Sequence, residues 1–368
     1  MMFLESLLRD YTLQIVALGS VILGAVSGIL GSFAVLRKQS LLGDAVSHAA
    51  LPGIAFVFLL TGVKKTEMLL LGALISGLIG AFIIISIDRY TRIKFDSALG
   101  LILSSFFGLG LVLLTYIQKR PNANQAGLET FIFGQASTLL KRDVYIMIAL
   151  GGIILLVVGL FWKELKLFCF DCEFGKSIGF SDTKINLILS SITVLAIIIG
   201  LQSVGVILMS ALLISPGVAA RQWTDKLSCM VILASVFGMV SGVVGTLISS
   251  SVAHMPTGPV IVMVISVIMF FSLLFATKRG ILWRYIKTRR DSRDINECKI
   301  LINLYESALN HEEVRHAHKT TMLKPIKSLH YLRDKGYIRR DYLNTWVITD
   351  LGMEKARNSI DKNRGERV

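Results

Sequence analysis

Asp44, Ser47 and His48 stand within "LLGDAVSHAALPG" (41–53), a stretch whose other residues are apolar or small. A four-residue offset puts the carboxylate and the imidazole one above the other on a helix face, with the Ser47 hydroxyl beside them. Pro52 adds a further group. It has no N–H to give to the carbonyl of His48, and its ring crowds that oxygen. In lipid a freed carbonyl is tolerated only where it is buried in protein or lines a wet cavity. Carboxylate, imidazole, hydroxyl and carbonyl make a set of hard-to-borderline donors suited to a divalent ion such as Mn²⁺, Zn²⁺ or Fe²⁺. The alternative is an internal Asp–His hydrogen bond that braces a helix break. Ionisable side chains inside a span are costly and commonly mark ion pathways, which favours the first reading.

Of the six histidines, only His48 and His254 fall in the apolar part of the chain. His254 and Met255 precede "PTGP" in a short segment expected to face outward, where an incoming ion arrives, so His254 is a candidate metal helper. Cys169 and Cys172 have C-x-x-C spacing, but Cys229 and Cys298 are isolated and no histidine is near in sequence. They read as loop cysteines rather than as a zinc or redox site. Asp96, just after "RYTRIK", reads as the N-cap of the following span.

These groups need elements that hold them in lipid. The 368 residues are 53% hydrophobic and 17% charged, and several near-charge-free blocks are each long enough to cross a bilayer. The block 185–220 is uncharged throughout. At 1.5 Å per residue it would make about 54 Å of helix, too long for one crossing of a ~30 Å core. It should cross and return, turning near Gln202 to Gly205. That gives nine transmembrane helices, or eight if the block stays whole. Nine crossings place more of the body's Lys and Arg on the cytoplasmic side, so the charge rule leans that way. The first block is too long and lacks the basic start of a cleavable leader, so the first span is read as its own targeting signal. The expected class is an all-α polytopic membrane protein in residues 1–277.

After Thr277 the character changes. Residues 278–368 hold 21 of the 39 Lys+Arg and 12 of the 25 Asp+Glu. Residues 278–295 read as a basic linker and 296–368 as a small cytoplasmic α+β domain. "YIRRDYLNTWVIT" is expected to form two strands ahead of a helix beginning near "DLGMEKA". His311, His316 and His318, with Glu312 and Glu313, read as part of a solvated charged helix rather than as a metal sensor. Lys319, Lys324, Lys327, Arg333 and Lys335 could meet DNA phosphates, anionic lipid or a protein partner.

No G-x-x-x-x-G-K-[ST] stretch occurs, so the chain has no P-loop to cradle ATP phosphates. In "SPGVAARQWTDKL" (215–227), Pro216 is expected to break the preceding helix, leaving a short helix with Arg221, Asp225 and Lys226 facing water.

Taken together, the motifs resemble the permease subunit of the bacterial manganese/zinc/iron class of ATP-binding-cassette importers. The resemblance runs over residues 10–277. It rests on "LLGDAVSHAALPG", "IKFDSALGLILSSFFGLGLVLL" (93–114), "LETFIFGQ" (128–135), "SVGVILMSALLISPGVAARQW" (203–223) and "PTGPVIVMV" (256–264). It implies a multi-pass protein of the bacterial cytoplasmic membrane that binds no permanent cofactor and catalyses no covalent step. Its cargo would be a Mn, Zn or Fe ion that passes Asp44 and His48. It implies three partners: a second permease subunit, a cytoplasmic ATPase subunit and an extracytoplasmic metal-binding protein. It makes 215–227 the segment coupled to the ATPase, with Pro216, Gly217, Ala220 and Arg221 at its heart. The tail resembles the winged-helix N-terminal domain of the iron- and manganese-dependent repressors, closing on "ITDLGMEKA" (348–356). The rival class is a membrane-tethered, DNA-binding, metal-responsive regulator.

Overall fold

A computed structural model describes residues 11–62, 65–119, 139–201, 203–252, 255–310, 326–340 and 346–365. The chain divides into two units, Met1–Gly280 and Ile281–Val368. The first is all helix: α1 (Tyr11–Leu36), α2 (Leu42–Thr61), α3 (Thr66–Tyr90), α4 (Phe95–Gln118), α5 (Lys141–Leu160), α6 (Trp162–Phe170), α7 (Cys172–Ser177), α8 (Asp182–Leu201), α9 (Val206–Trp223), α10 (Leu227–Ser251) and α11 (Thr257–Phe275). Among the described residues, eight of these are long and apolar enough to cross a membrane: α1 to α5, α8, α10 and α11. In lipid every backbone polar group must be satisfied within its own segment, so apolar blocks of this length have few alternatives to helix.

The block 185–220 is two helices, α8 and α9. The chain reverses between them, with Gly200 O accepting from Ser203 N and Val204 N, and Gly205 adopting φ 86°. α9 returns to the end where α8 began: its Ala220 clusters with Met230 and packs on Val35 and Leu36 of α1, while Arg37 reaches Asp182 at the start of α8. The block is therefore two helices joined by a reversal, of which α8 is counted among the eight candidate spans. At 18 residues, about 27 Å, and with Arg221 and Gln222 in its last turn, α9 is shorter than each of the eight candidate spans.

Packing sets which helices are central. In α1 and α8, 72% of the apolar window is buried against other helices, compared with 22% in α4. Without a hydrophobic drive between helices in lipid, close approach has to come from small residues. Gly24, Gly28 and Gly31 supply it along α1. A Cβ on each would run into the backbone at Gly238, Ala234 and Leu213, respectively. On α9, a Cβ on Gly217 would sit 2.7 Å from the Gly31 backbone. α2 and α3 likewise touch at Gly53 and Gly72.

The second unit contains α12 (Ile281–Asn310), α13 (Ile326–Asp334), β1 (Ile338–Arg340), β2 (Trp346–Ile348) and α14 (Asp350–Gly365). Much of the stretch read as a linker is therefore helix from Ile281 onward. The two strands pair antiparallel, Ile338 opposite Ile348 and Arg340 opposite Trp346. Ile300, Leu301, Leu304, Leu329, Leu332, Ile338, Ile348 and Ala356 form one core. "TDLG" has a local cause. Thr349 Oγ1 donates to Gly336 O (2.6 Å) and accepts from Gly352 N (3.2 Å), capping α14 while tying it to the turn before β1. His311, His316, His318, Lys319 and Lys324 lie outside the described residues.

Candidate functional site

Asp44 sits in the first turn of α2, where the helix N-terminus favours a carboxylate. The helix continues through Pro52, so Asp44 and His48 share a face, with Oδ1 3.4 Å from Nε2. The Asp44 side chain is 33% exposed and that of His48 14%. Ser210, on α9, hydrogen-bonds to Asp44. The His48 ring stands edge-on to Phe107 of α4, centroids 4.7 Å apart. Its Nδ1 is buried and has no hydrogen-bond partner. An orphaned buried ring nitrogen costs about 1–3 kcal/mol, and with Nε2 turned to Asp44 it leaves a nitrogen free for an electrophile.

One other donor of the motif is placed differently from the sequence reading. The Ser47 hydroxyl is fully buried and donates to Gly43 O (2.7 Å), one turn back along the same helix, so it is spent on the backbone. One residue on from His48, Ser76 Oγ of α3 donates to Ala49 O (2.6 Å), pinning α3 to α2 near Pro52. In place of Ser47, Ser210 comes in from a distant helix. Among the described residues no group of three or more His, Cys, Asp or Glu side chains could hold a metal ion. Asp44 and His48 thus offer two adjacent donors, a carboxylate and an imidazole. His254 lies outside the described residues.

At one end of the bundle, the α1–α2 turn, the α3–α4 turn and α6 to α8 enclose a polar cavity of about 420 Å³ lined by Arg37, Asp88, Asp96, Cys169, Cys172 and Asp182, among others. Asp182 ties this end together, accepting from Arg37 (3.1 Å) and pairing with Lys176 (3.5 Å). Asp96 is not the cap of α4, since Lys94 holds that position. It lies within the first turn, where the helix dipole still favours it. Burial pushes the Cys169 thiol up to about 11, leaving it a poor thiolate. The pair is not in a loop as the sequence suggested: Cys169 lies within α6 and Cys172 opens α7.

The segment 215–223 departs most from expectation. Pro216 lies inside α9 without breaking it. Pro216, Gly217 and Ala220 are buried, and the Gly217–Gly31 contact holds α9 against α1 across the missing hydrogen bond. What faces outward is the end of α9 and the turn after it. There Asp225 gathers Arg279 (2.7 Å), Lys278 (3.5 Å) and Arg221 (3.7 Å), and Arg279 N donates to Gln222 O. The Arg279 guanidinium holds the Asp225 carboxyl below the usual carboxylate range. A group whose folded value is depressed contributes stability at neutral pH and loses it as pH falls through that value. Thermal melts of wild type and Asp225→Asn should therefore differ by a constant, small amount across neutral pH. The gap should close below about pH 4, the ordinary carboxylate value.

The ABC 3 transport family matches residues 9–276. The zinc transport system membrane protein TroC of Treponema pallidum (strain Nichols) is 52% identical over 289 residues, covering 78% of this chain and 97% of that protein. The manganese transport system membrane protein MntC of Bacillus subtilis (strain 168) is 41% identical over 357 residues, 95% of this chain and 82% of that protein. The solved structure of PsaBC from Streptococcus pneumoniae in complex with Fab superposes with a TM-score of 0.67 at 32% identity, covering 78% of this chain and 99% of that one. A family match across the whole membrane unit, together with a shared helical architecture, is decisive: the chain belongs to the ABC 3 transport family.

Proposed function

We propose that this chain is the permease subunit of an ATP-driven importer of a divalent transition metal ion, Mn²⁺, Zn²⁺ or Fe²⁺. The observation that carries this reading is the Asp44–His48 pair, a carboxylate and an imidazole 3.4 Å apart inside a membrane helix with the second ring nitrogen unsatisfied. Zinc and manganese are the ions printed in the names of the two relatives, and both accept O and N donors. With only two strong donors per chain, a site complete enough to strip an ion of its water needs a second permease subunit across a two-fold axis. His254, in the segment leading into α11, would assist entry. An extracytoplasmic protein would deliver the ion there.

Energy enters from a separate cytoplasmic ATPase. Its docking surface is the Arg221–Asp225 turn, while Pro216, Gly217 and Ala220 work from inside by fixing α9 on α1. The unit from Ile281 onward is a cytoplasmic, winged-helix-like regulatory domain. Its helix, hairpin and following helix support this assignment.

The test is uptake of radiolabelled Mn²⁺, Zn²⁺ and Fe²⁺ by cells carrying or lacking this chain together with its ATPase. Uptake of at least one metal should appear with the pair and vanish when the ATPase P-loop lysine is replaced. Removing residues 296–368 should leave uptake intact and change its response to external metal. Uptake that survives loss of ATP hydrolysis would point to a gradient-driven carrier and sink the proposal.

A further inference from the structure

The first two turns of α12 carry their large apolar side chains outward. Ile281, Leu282, Trp283, Tyr285 and Ile286 are 42–58% exposed. Further along the same helix, Ile300, Leu301 and Leu304 are buried in the core of the second unit. At about 100° per residue, Ile281, Tyr285, Leu282 and Ile286 fill one side of the helix, Trp283 lies at its edge next to Lys287, and Arg284 and Lys287 take the other side. Both cations are exposed. A contiguous apolar face of this kind on a water-facing helix marks an interaction surface.

What covers it follows from charge and tether. Residues 278–290 contain six cations and no acid, the first acid being Asp291. Lys278 and Arg279 are engaged by Asp225; the α12 segment itself contributes Arg284, Lys287, Arg289 and Arg290 to the sequence. Four Lys/Arg beside the end of a span are the sequence mark of an anionic-lipid contact. The chain is held to the membrane unit up to the peptide bond before Ile281, since Gly280 N donates to Ala276 O and Arg279 N to Gln222 O. Trp and Tyr, apolar in body and polar at one edge, settle at headgroup depth. Beyond Asp291 the helix carries both signs of charge, and the lipid-like character stops.

We propose that residues 281–290 form an interfacial anchor that lies on anionic phospholipid in the leaflet where α11 ends, apolar side toward the acyl boundary and Arg284 and Lys287 toward phosphate. The proposal requires only that α11 crosses the bilayer, whatever ion the permease carries. Attraction to phosphate then adds to apolar burial, as in amphipathic surface helices.

The full chain in nanodiscs tests it by fluorescence. Acyl chains bearing bromine quench only tryptophans that touch them, and the Trp283 share is the difference between wild type and Trp283→Phe. That share should be strongly quenched in discs containing brominated phosphatidylglycerol and much less in discs of brominated phosphatidylcholine alone. The double variant Arg284→Gln, Lys287→Gln should weaken the partitioning about fivefold per charge removed, and high salt should act in the same direction. A Trp283 share that is unquenched in both kinds of disc overturns the anchor. Equal quenching in both, insensitive to the charge variant, overturns the anionic preference. A Trp283 signal that changes only on adding the ATPase subunit identifies a protein partner instead and also overturns the proposal.

Discussion

Metal uptake is expected to fall to background in Asp44→Ala and in His48→Ala, with both chains accumulating in the membrane at wild-type level. Loss of an outer-shell partner alone typically costs 10–100-fold at a metal site, and loss of a direct donor should cost no less, so a drop of at least about 100-fold is expected. The fold should tolerate both changes. Asp44 is one-third exposed, and the His48 ring loses a single edge-on contact with Phe107, a term of about 0.5–1.5 kcal/mol. His48→Phe separates packing from ligation, because it keeps a ring against Phe107 and removes both nitrogens. It should be as inactive as the alanine variant. If the pair were only a brace, an apolar replacement of both residues, Asp44→Leu with His48→Phe, would restore uptake. Wild-type uptake by that double variant would remove the pair from the pathway.

The second large effect is structural. Gly31→Val should leave almost no chain in the membrane, with uptake disappearing because the protein does. A Cβ at position 31 meets the carbonyl of Leu213, and α9 cannot retreat because Gly217 already rests on the Gly31 backbone. Overpacking a filled interior typically costs 1–3 kcal/mol and more where backbone must move. Gly100→Ala and Gly108→Ala are the controls, since nothing lies within 4 Å of an added Cβ at either position. Replacing a helix glycine by alanine there should stabilise by about 0.5–1 kcal/mol. Membrane abundance and thermal melting in detergent read both outcomes. A Gly31→Val chain that melts with wild type would show that α1 and α9 are not in register-critical contact.

What could be read in the sequence follows from range. Apolar blocks and their lengths declare helices, because lipid leaves little else, and the uncharged run 185–220 announced its reversal by length alone. The i,i+4 pairing of Asp44 with His48 is equally local, and the structure keeps it. The two strands around 338–348 followed from β-branched and aromatic residues bracketing a polar turn. Misreadings came where a distant partner decides. Ser47 looked like a ligand and is bonded to Gly43 O, while the hydroxyl that does meet Asp44 arrives from Ser210, on a helix far away in sequence. Pro216 looked like a break, and only the glycine contact with α1 explains why α9 runs on. The Arg37–Asp182 pair spans 145 positions. Its one trace in the sequence is a charge flanking each of two spans.

An uninterrupted α9 has a mechanical meaning. It presents Ser210 to the Asp44 carboxylate toward one end and Arg221 to the polar turn at the other, about 16 Å apart at the helical rise. A hinge at Pro216 would absorb a stroke delivered to that turn. Under the proposed function, a single stiff rod seated on α1 at Gly31 would instead convert the same stroke into displacement of the hydroxyl from the acid, making cargo release and motor movement one event rather than two.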